Sequence, residues 1–572
     1  MRIILVMLVG TLWATDFPLL EKESLLYRSA HWINEYRPQL ARAASPPLFP
    51  QTDSGLSQAA IWLTIEPEFL GPFPLAELTK RERWHQFQNL GVQAIETHAI
   101  RQINGDRDYE TVVRLAGMYD ISLIGIPLTP LTSEGPDFQL ALSNYKDYAQ
   151  LFHLIELDMS DWNLPVGTLS MAQVQQLKKS GILAGRPEEI YPYLKTSCWE
   201  ASPLIVGSDG KKRRWVFLRW NNLPALDWLN PSFLSEKLAG GEVTHALLKL
   251  SQSFLIFDAT VRGDALVPTK NALNTLSLLT RKIKGFSALR LTASLAIIRE
   301  IQTDFIYDRF TPIPLLHALI TEDAEALRII YRTFLDTNFS SQRFIHDLHS
   351  THFALCEWGI FLENPKLYNF EEKITGELLA ERLLHDDVLR LNWTPSEYAP
   401  PKAPLFGLCP EEPLDYRTNR EQLQQARLLI AFFYAMQNGA FSFSTRDLPG
   451  SLLAELNNRN SFAGKLKTFF SIRSQQQMER AELIDVLPVE NRSLLLLLHR
   501  LPNELFAITA VNFSRSPQKE QIAHPLLGNR WVVELLSGMA DPKSFSSTNL
   551  DLQLGALSGK IYLLQTKSFD GI

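Results

Sequence analysis

From residue 59 onward the chain alternates short apolar runs with longer stretches of helical period. Ala59–Pro67 (AAIWLTIEP), Val92–Ile100 (VQAIETHAI) and Ile121–Thr129 (ISLIGIPLT) are short and apolar, the pattern of buried strands. Between them Leu75–Leu90 and Tyr109–Tyr119 carry apolar residues at three- and four-residue steps, as amphipathic helices do. Strands separated by helices predict βα units with parallel strands. Phe254–Val261, Ala288–Leu295 and Phe344–Ser350 extend the series, and Arg420–Gln437 reads as an apolar helix.

The alternation lapses from Pro130 to about Trp220, a stretch rich in Pro, Gly, Ser and aromatics. A compact domain seldom holds so long an irregular loop, so this is an insertion with structure of its own. Asn392–Pro413 is a proline-rich loop. After Arg473 only short strand-like runs remain: Ser493–Arg500, Leu505–Phe513, Trp531–Leu536 and Lys560–Gln565. They predict a separate all-β C-terminal module. The expected domains are a barrel-like α/β body over 59–475, with an inserted subdomain at about 130–220, and a β domain over 476–572.

Met1-Arg2 followed by apolar Ile3–Ala14 reads as a signal peptide cleaved after Ala14, too short for a membrane span; the other reading is a buried N-terminal strand. The first reading makes the mature chain secreted or periplasmic, without a membrane span. Residues 15–58 are then a polar, proline-containing lead-in.

Composition narrows the function. Apolar residues at 45% and charged residues at 21% are globular values. With 56 basic and 62 acidic residues the net charge is −6, which gives no basic field to attract nucleic acid. Cys198, Cys356 and Cys409 show no CxxC or His spacing, which argues against a disulfide scaffold or a zinc site. No glycine-rich phosphate loop occurs, so no metal or cofactor is expected. Twelve Trp and 32 Phe suit either sugar stacking or a core.

One residue stands out chemically. Leu255–Gly263 (LIFDATVRG) sets Asp258 near the end of an otherwise apolar strand. A carboxylate there costs several kcal/mol if buried without partners, so it marks a mouth or a site.

A βα body, an insertion after the third strand and a β tail together resemble the α-amylase superfamily, glycoside hydrolase family 13. Trp199-Glu200-Ala201-Ser202-Pro203, Arg214-Trp215-Val216 and Asp227-Trp228-Leu229-Asn230-Pro231 are similar to its approach to the fourth strand. Thr303–Leu319 (TDFIYDRFTPIPLLHAL) is similar to the region after its fifth strand. Ala510-Val511-Asn512-Phe513-Ser514-Arg515 resembles the V-x-N-L-S-R strand of its trehalose-synthase-like, maltose-interconverting branch. The resemblance implies a (β/α)8 TIM-type barrel with an insertion after the third strand, followed by a C-terminal antiparallel β-sandwich. It also implies chemistry on α-glucosides such as maltose or trehalose.

That chemistry uses a carboxylate nucleophile and a carboxylic acid across the scissile bond, with a third carboxylate holding sugar hydroxyls. By the resemblance Asp258, followed by Ala259, matches the nucleophile of the fourth strand. The arginine two residues before it is replaced by Ile256. The acid position at the end of the fifth strand falls on Ser294, or on Ala293, and neither can donate a proton at a useful pKa. The N-H-D of the seventh strand falls on Ser350-Thr351-His352, or in a shifted match its last two residues fall on His346-Asp347. The D-x-x-x-N-H of the third strand falls on Ile126, Pro130 and Leu131, which removes its calcium and substrate ligands.

Other residues have plainer readings. Glu300, Asp304 and Asp308 could replace the acid, but a structural role is expected for Asp304 and Asp308. His346, His349 and His352 suit a polar barrel mouth better than a metal site. Lys211-Lys212-Arg213-Arg214 reads as a solvated loop, and Trp199, Trp215, Trp220 and Trp228 as core. The expected protein is a pseudoenzyme that binds an α-glucoside or scaffolds a protein partner. The alternative is an active retaining enzyme with Asp258 as nucleophile and a relocated acid.

Overall fold

The computed structural model describes residues 17–24, 26–28, 60–65, 74–97, 107–128, 135–183, 198–220, 254–260, 286–292, 295–348, 375–385, 420–445, 458–541 and 548–566, with a few isolated positions besides. Eight strands form the body: β1 (Ile61–Ile65), β2 (Ala94–Thr97), β3 (Ser122–Leu128), β4 (Phe254–Thr260), β5 (Phe286–Thr292), β6 (Phe305–Tyr307), β7 (Phe344–Asp347) and β8 (Ala440–Ser444). They close into one barrel in the order β1-β8-β7-β6-β5-β4-β3-β2. The pairs β1-β8, β1-β2, β2-β3, β4-β5, β6-β7 and β7-β8 are all parallel, as strands joined by helical crossovers must be. The expected (β/α)8 barrel is the fold. The sequence pattern did not single out β6 or β8, since β6 has three residues and β8 (AFSFS) alternates aromatic and small side chains.

Two compact units make up the chain: Met1–Phe49, Ile126–Ala293 and Glu300–Thr303 in one, Pro50–Gly125, Ser294–Arg299 and Asp304–Ile572 in the other.

In the second unit, helices α1 (Arg81–Leu90), α2 (Arg107–Met118), α3 (Pro312–Thr321), α4 (Glu325–Asp336), α5 (Gly376–His385), α6 (Arg420–Ala435) and α7 (Phe462–Gln476) accompany the strands. Strand parity assigns the two faces. Phe441 and Phe443 pack on Phe470 of α7, with centroids 5.1 and 5.5 Å away, and Phe344 packs on Phe334 of α4 at 5.5 Å. The register His346↔Phe441 puts all three on one face, which is therefore the face towards the helices. Trp62 on β1 meets Phe305 and Tyr307 on β6 edge-on at 6.1 and 6.5 Å. Since β1 and β6 are not neighbours in the barrel, these rings meet across its interior. Burying each such side chain stabilises by roughly 1.5–3 kcal/mol, and among the described residues these rings occupy the interior at their level.

The C-terminal module has β9 (Glu482–Val486), β10 (Leu494–Arg500), β11 (Phe506–Asn512), β12 (Gln518–Ala523), β13 (Trp531–Glu534), β14 (Met539–Asp541), β15 (Asn549–Leu554) and β16 (Ser558–Gln565). A six-stranded sheet, β9-β10-β11-β16-β13-β14, and the pair β12-β15 are both antiparallel. Leu494, Leu496, Leu498 and Ile508 of the large sheet share one core with Ile522, Leu550, Leu552 and Leu554 of the pair. This is the expected β-sandwich. β15 alternates exposed and buried residues along its whole length, the mark of a strand with one face in the core.

Arg328 of α4 joins barrel to sandwich: its Nε and Nη2 donate to the Leu494 carbonyl at 3.1 and 2.6 Å, and Nη2 also reaches Asn491 O at 2.6 Å. The sequence Asn512-Phe513-Ser514-Arg515 has a structural use beside it. The Asn512 amide donates to Ser516 O and Gly555 O, its Oδ1 accepts from Ser514 N, and Ser514 Oγ donates to Glu322 Oε2 at 2.6 Å. Glu322 sits in the left-handed region (φ 57°) at the end of α3, so the motif ties the sandwich to a helix terminus.

In the first unit the inserted subdomain is built on the strand Trp215–Trp220, which pairs with Leu154–Glu156, Cys198–Ala201 and Leu223–Pro224. Leu157, Leu169, Val174, Leu177, Trp199, Val216 and Leu218 are among its core residues. Trp199 and Trp215 are buried, in line with their reading as core. The side chains of Trp220 and Trp228 lie outside the described residues. The solvated run expected over Lys211–Arg214 is found at Lys211 and Lys212, which are exposed, and is corrected at Arg213 and Arg214. Arg213 and Arg214 are buried; Arg213 pairs with Asp209 at 2.6 Å and Glu156 at 3.1 Å, and Arg214 donates to Ser202 O at 2.8 Å and to Trp162 O. Buried cations persist where acceptors surround them, and a bare run of basic residues does not reveal those acceptors.

Candidate functional site

Residues facing the barrel interior of the second unit follow from register. Asp347, Ser442, Trp62 and Ala94 are Cα partners in succession across β7, β8, β1 and β2. Two residues further along lie Ser444, Thr64 and Glu96. Trp62 faces inward, so Asp347, Ser442, Ser444, Thr64 and Glu96 share its face. Thr64 Oγ1 donates to Glu96 Oε2 at 3.5 Å, and Glu96 is 2% exposed. The face thus carries two carboxylates and three hydroxyls together with the rings of Trp62, Phe305 and Tyr307. Carboxylates, hydroxyls and rings on one face are the residue types that polyhydroxylated ligands use, and here Glu96, Ser442 and Ser444 are themselves buried.

His346 lies on the opposite face. It is 1% exposed, stacks on Tyr434 of α6 at 5.3 Å, and its Nδ1 and Nε2 lie 2.9 and 3.0 Å from Asp308 Oδ2 and Asn438 O. The expectation that His346 belongs to a polar mouth is corrected, because the period-two alternation of β7 turns it into the barrel wall. His352 lies outside the described residues. Asp308 also accepts from the backbone N–H groups of Phe310 and Thr311 at 2.8 and 3.2 Å, and from Thr311 Oγ1. It caps the turn into α3, so its place is structural.

In the first unit Asp258 lies on β4, the fourth barrel strand, two residues before its end, in parallel register with Arg290 of β5. Ile256 is the Cα partner of Ala288. β5, the fifth strand, ends at Thr292 and is followed by Ala293 and Ser294, both outside the described residues. Ile126 lies on β3, while Pro130 and Leu131 lie outside the described residues. On the seventh strand, Ser350 and Thr351 also lie outside them, and the residue closing β7 is Asp347, from the shifted match.

Glu96 was missed in the sequence reading. Its signal was parity: in Ala94-Ile95-Glu96-Thr97 a charge follows an apolar pair inside a strand, which places it on the same face as Ala94. Among the described residues no group of three His, Cys, Asp or Glu could hold a metal ion, and no helix is long and apolar enough to cross a membrane.

No protein-family model and no curated protein matches the chain by sequence. Among solved structures it is similar to an Anoxybacillus α-amylase, with 11% identity over 90% of this chain and 99% of that one and a TM-score of 0.48. It is likewise similar to an isomaltulose synthase mutant from Erwinia rhapontici in complex with D-glucose (12% identity, 89% and 98% covered, TM-score 0.48). A debranching enzyme from Nostoc punctiforme is a third (13% identity, 91% and 99% covered, TM-score 0.47). Identities and scores this low decide neither family nor activity; the barrel rests on its own strand order.

Proposed function

We propose that the chain is a pseudoenzyme of α-glucoside metabolism, similar to the trehalose-synthase-like branch, that binds a sugar on the interior face of β1, β2, β7 and β8 without cleaving it. One observation carries the reading: the fifth strand runs from Phe286 through Thr292 into Ala293 and Ser294 with no carboxyl group, while the fourth keeps Asp258. A retaining glycosidase needs two carboxyl groups about 5–5.5 Å apart, and the loss of one of a set that acts together costs orders of magnitude in rate. The interior carboxylates Glu96 and Asp347 and the hydroxyls of Thr64, Ser442 and Ser444 supply the hydrogen-bonding partners. In this reading Met1–Ala14 is an export signal and the sugar is met outside the cytoplasm.

Asp258, kept near the end of the fourth strand, favours a second reading, an active glucosidase or glucosyltransferase with Asp258 as nucleophile and a relocated acid. The two separate in one experiment. The purified protein is incubated with maltose, trehalose and an activated aryl α-glucoside beside Asp258→Ala. No turnover, together with a heat of sugar binding that Asp347→Asn abolishes, is the expected result. Turnover that disappears in Asp258→Ala overturns the pseudoenzyme reading.

A further inference from the structure

The lead-in segment has no role in the barrel or in the proposed sugar surface. Phe17–Glu23 is a helix of seven residues, none of them buried, and helices so short are not stable by themselves in water. Its order therefore comes from what it touches, which is the start of the inserted subdomain. The Phe17 ring stacks on Tyr145 with centroids 5.4 Å apart and planes 11° apart. Tyr145 OH donates to Glu21 Oε2 at 3.0 Å, and Lys146 Nζ donates to Glu21 Oε1 at 2.5 Å. Ser24 Oγ and Tyr148 OH lie 2.7 Å apart, both buried, and Leu26 N–H donates to Asp137 Oδ1 at 3.0 Å. Phe17, Glu21 and Ser24 recur at four- and three-residue steps, so one face makes these contacts while Leu19 on another is 60% exposed.

The receiving turn is itself unusual. Asn144 and Lys146, on either side of Tyr145, both have φ of 49°. Lysine seldom adopts the left-handed region, and such backbone persists only where surrounding contacts hold it. Lys146 is also the residue that meets Glu21, so the strained turn and the docked segment support one another.

We infer that residues 17–28 are a detachable strap, an intramolecular peptide ligand whose seat is Asp137, Tyr145, Lys146 and Tyr148, and that its seating orders residues 136–151. The seat recognises an aromatic ring, a carboxylate one helical turn later and a hydroxyl two turns along. This reading is independent of sugar binding, since it is read out in the insertion alone.

Hydrogen exchange on the full chain tests it. In a Phe17→Ala/Glu21→Ala variant, amides of 136–151 are expected to exchange roughly tenfold faster or more, with β10 and β11 of the sandwich unchanged. A chain beginning at residue 35 should show the same loss, and a synthetic peptide of residues 15–34 should restore protection saturably. Unaltered exchange in the full-length variant overturns the inference. So does a peptide that fails to bind a folded shortened chain. If the shortened chain does not fold, the full-length variant decides alone.

Discussion

His346 Nδ1 lies 2.9 Å from Asp308 Oδ2, with both side chains 1% exposed, at the junction of β6, β7 and α6. The other ring nitrogen faces the Asn438 carbonyl at 3.0 Å. A carbonyl oxygen can only accept, and Asp308 already accepts from two backbone N–H groups and the Thr311 hydroxyl. Each ring nitrogen thus meets an oxygen at hydrogen-bond distance, and the ring is held from both sides. It joins two strands to the start of α3, and its partners come from residues 308, 346 and 438, far apart in sequence.

Asp308→Ala removes the partner of a buried imidazole and the acceptor of the Phe310 and Thr311 amides in the turn before α3. A loss of about 1–3 kcal/mol is expected, the usual cost of leaving buried polar groups without their acceptor. Urea unfolding monitored by tryptophan fluorescence measures it. A change below about 1 kcal/mol would show that water replaces the carboxylate at little cost.

His499 on β10 is fully buried, and neither ring nitrogen has a hydrogen-bond partner among the described residues. Burial holds its pKa down at about 3 against an ordinary 6.5. The unfolded chain thus binds a proton that the folded chain refuses. The neutral ring's contribution is fully present above the unfolded value, is lost as pH falls, and levels off below the folded one. Between about pH 6 and 4 this single group costs roughly 1.4 kcal/mol per pH unit. His499→Leu should flatten that part of the stability–pH curve; an unchanged slope would place the ring in contact with water.

Arg328 satisfies the Leu494 and Asn491 carbonyls at the seam of barrel and sandwich. Arg328→Ala is expected to cost about 2–4 kcal/mol, since hydrogen bonds to charged groups contribute more than neutral ones. Arg328→Lys should recover little, because one ammonium lacks the planar fork that serves both carbonyls. Equal stability of the lysine variant and the wild type would refute the geometric account.

Gly439 precedes β8 with φ of 84°, and a Cβ there would lie 2.4 Å from the Phe344 carbonyl. Arg473 Nη2 also donates to its carbonyl, so the backbone has little room to shift. Gly439→Ala should destabilise by about 2–3 kcal/mol or more, combining strain with a backbone clash. Thermal unfolding beside Gly538→Ala, whose Cβ meets nothing within 4 Å, separates the clash from the φ effect.

The sequence by itself determined the alternation of strands and helices, the insertion after the third strand and the β-sandwich tail, because apolar periodicity is local and survives in one dimension. It also determined which residue types end the fourth strand and follow the fifth, and with them the contrast between Asp258 and Ser294. Only the tertiary structure decided which face each side chain serves. His346 and Asp347 are neighbours in the chain, yet one is locked in the wall and the other faces the interior, because successive strand residues point opposite ways. Arg213 and Arg214 resembled a solvated run until acceptors from Glu156, Trp162, Ser202 and Asp209 closed around them. The polar lead-in proved to be a docked helix for the same reason: its partners lie more than a hundred residues away, where no local pattern can register them.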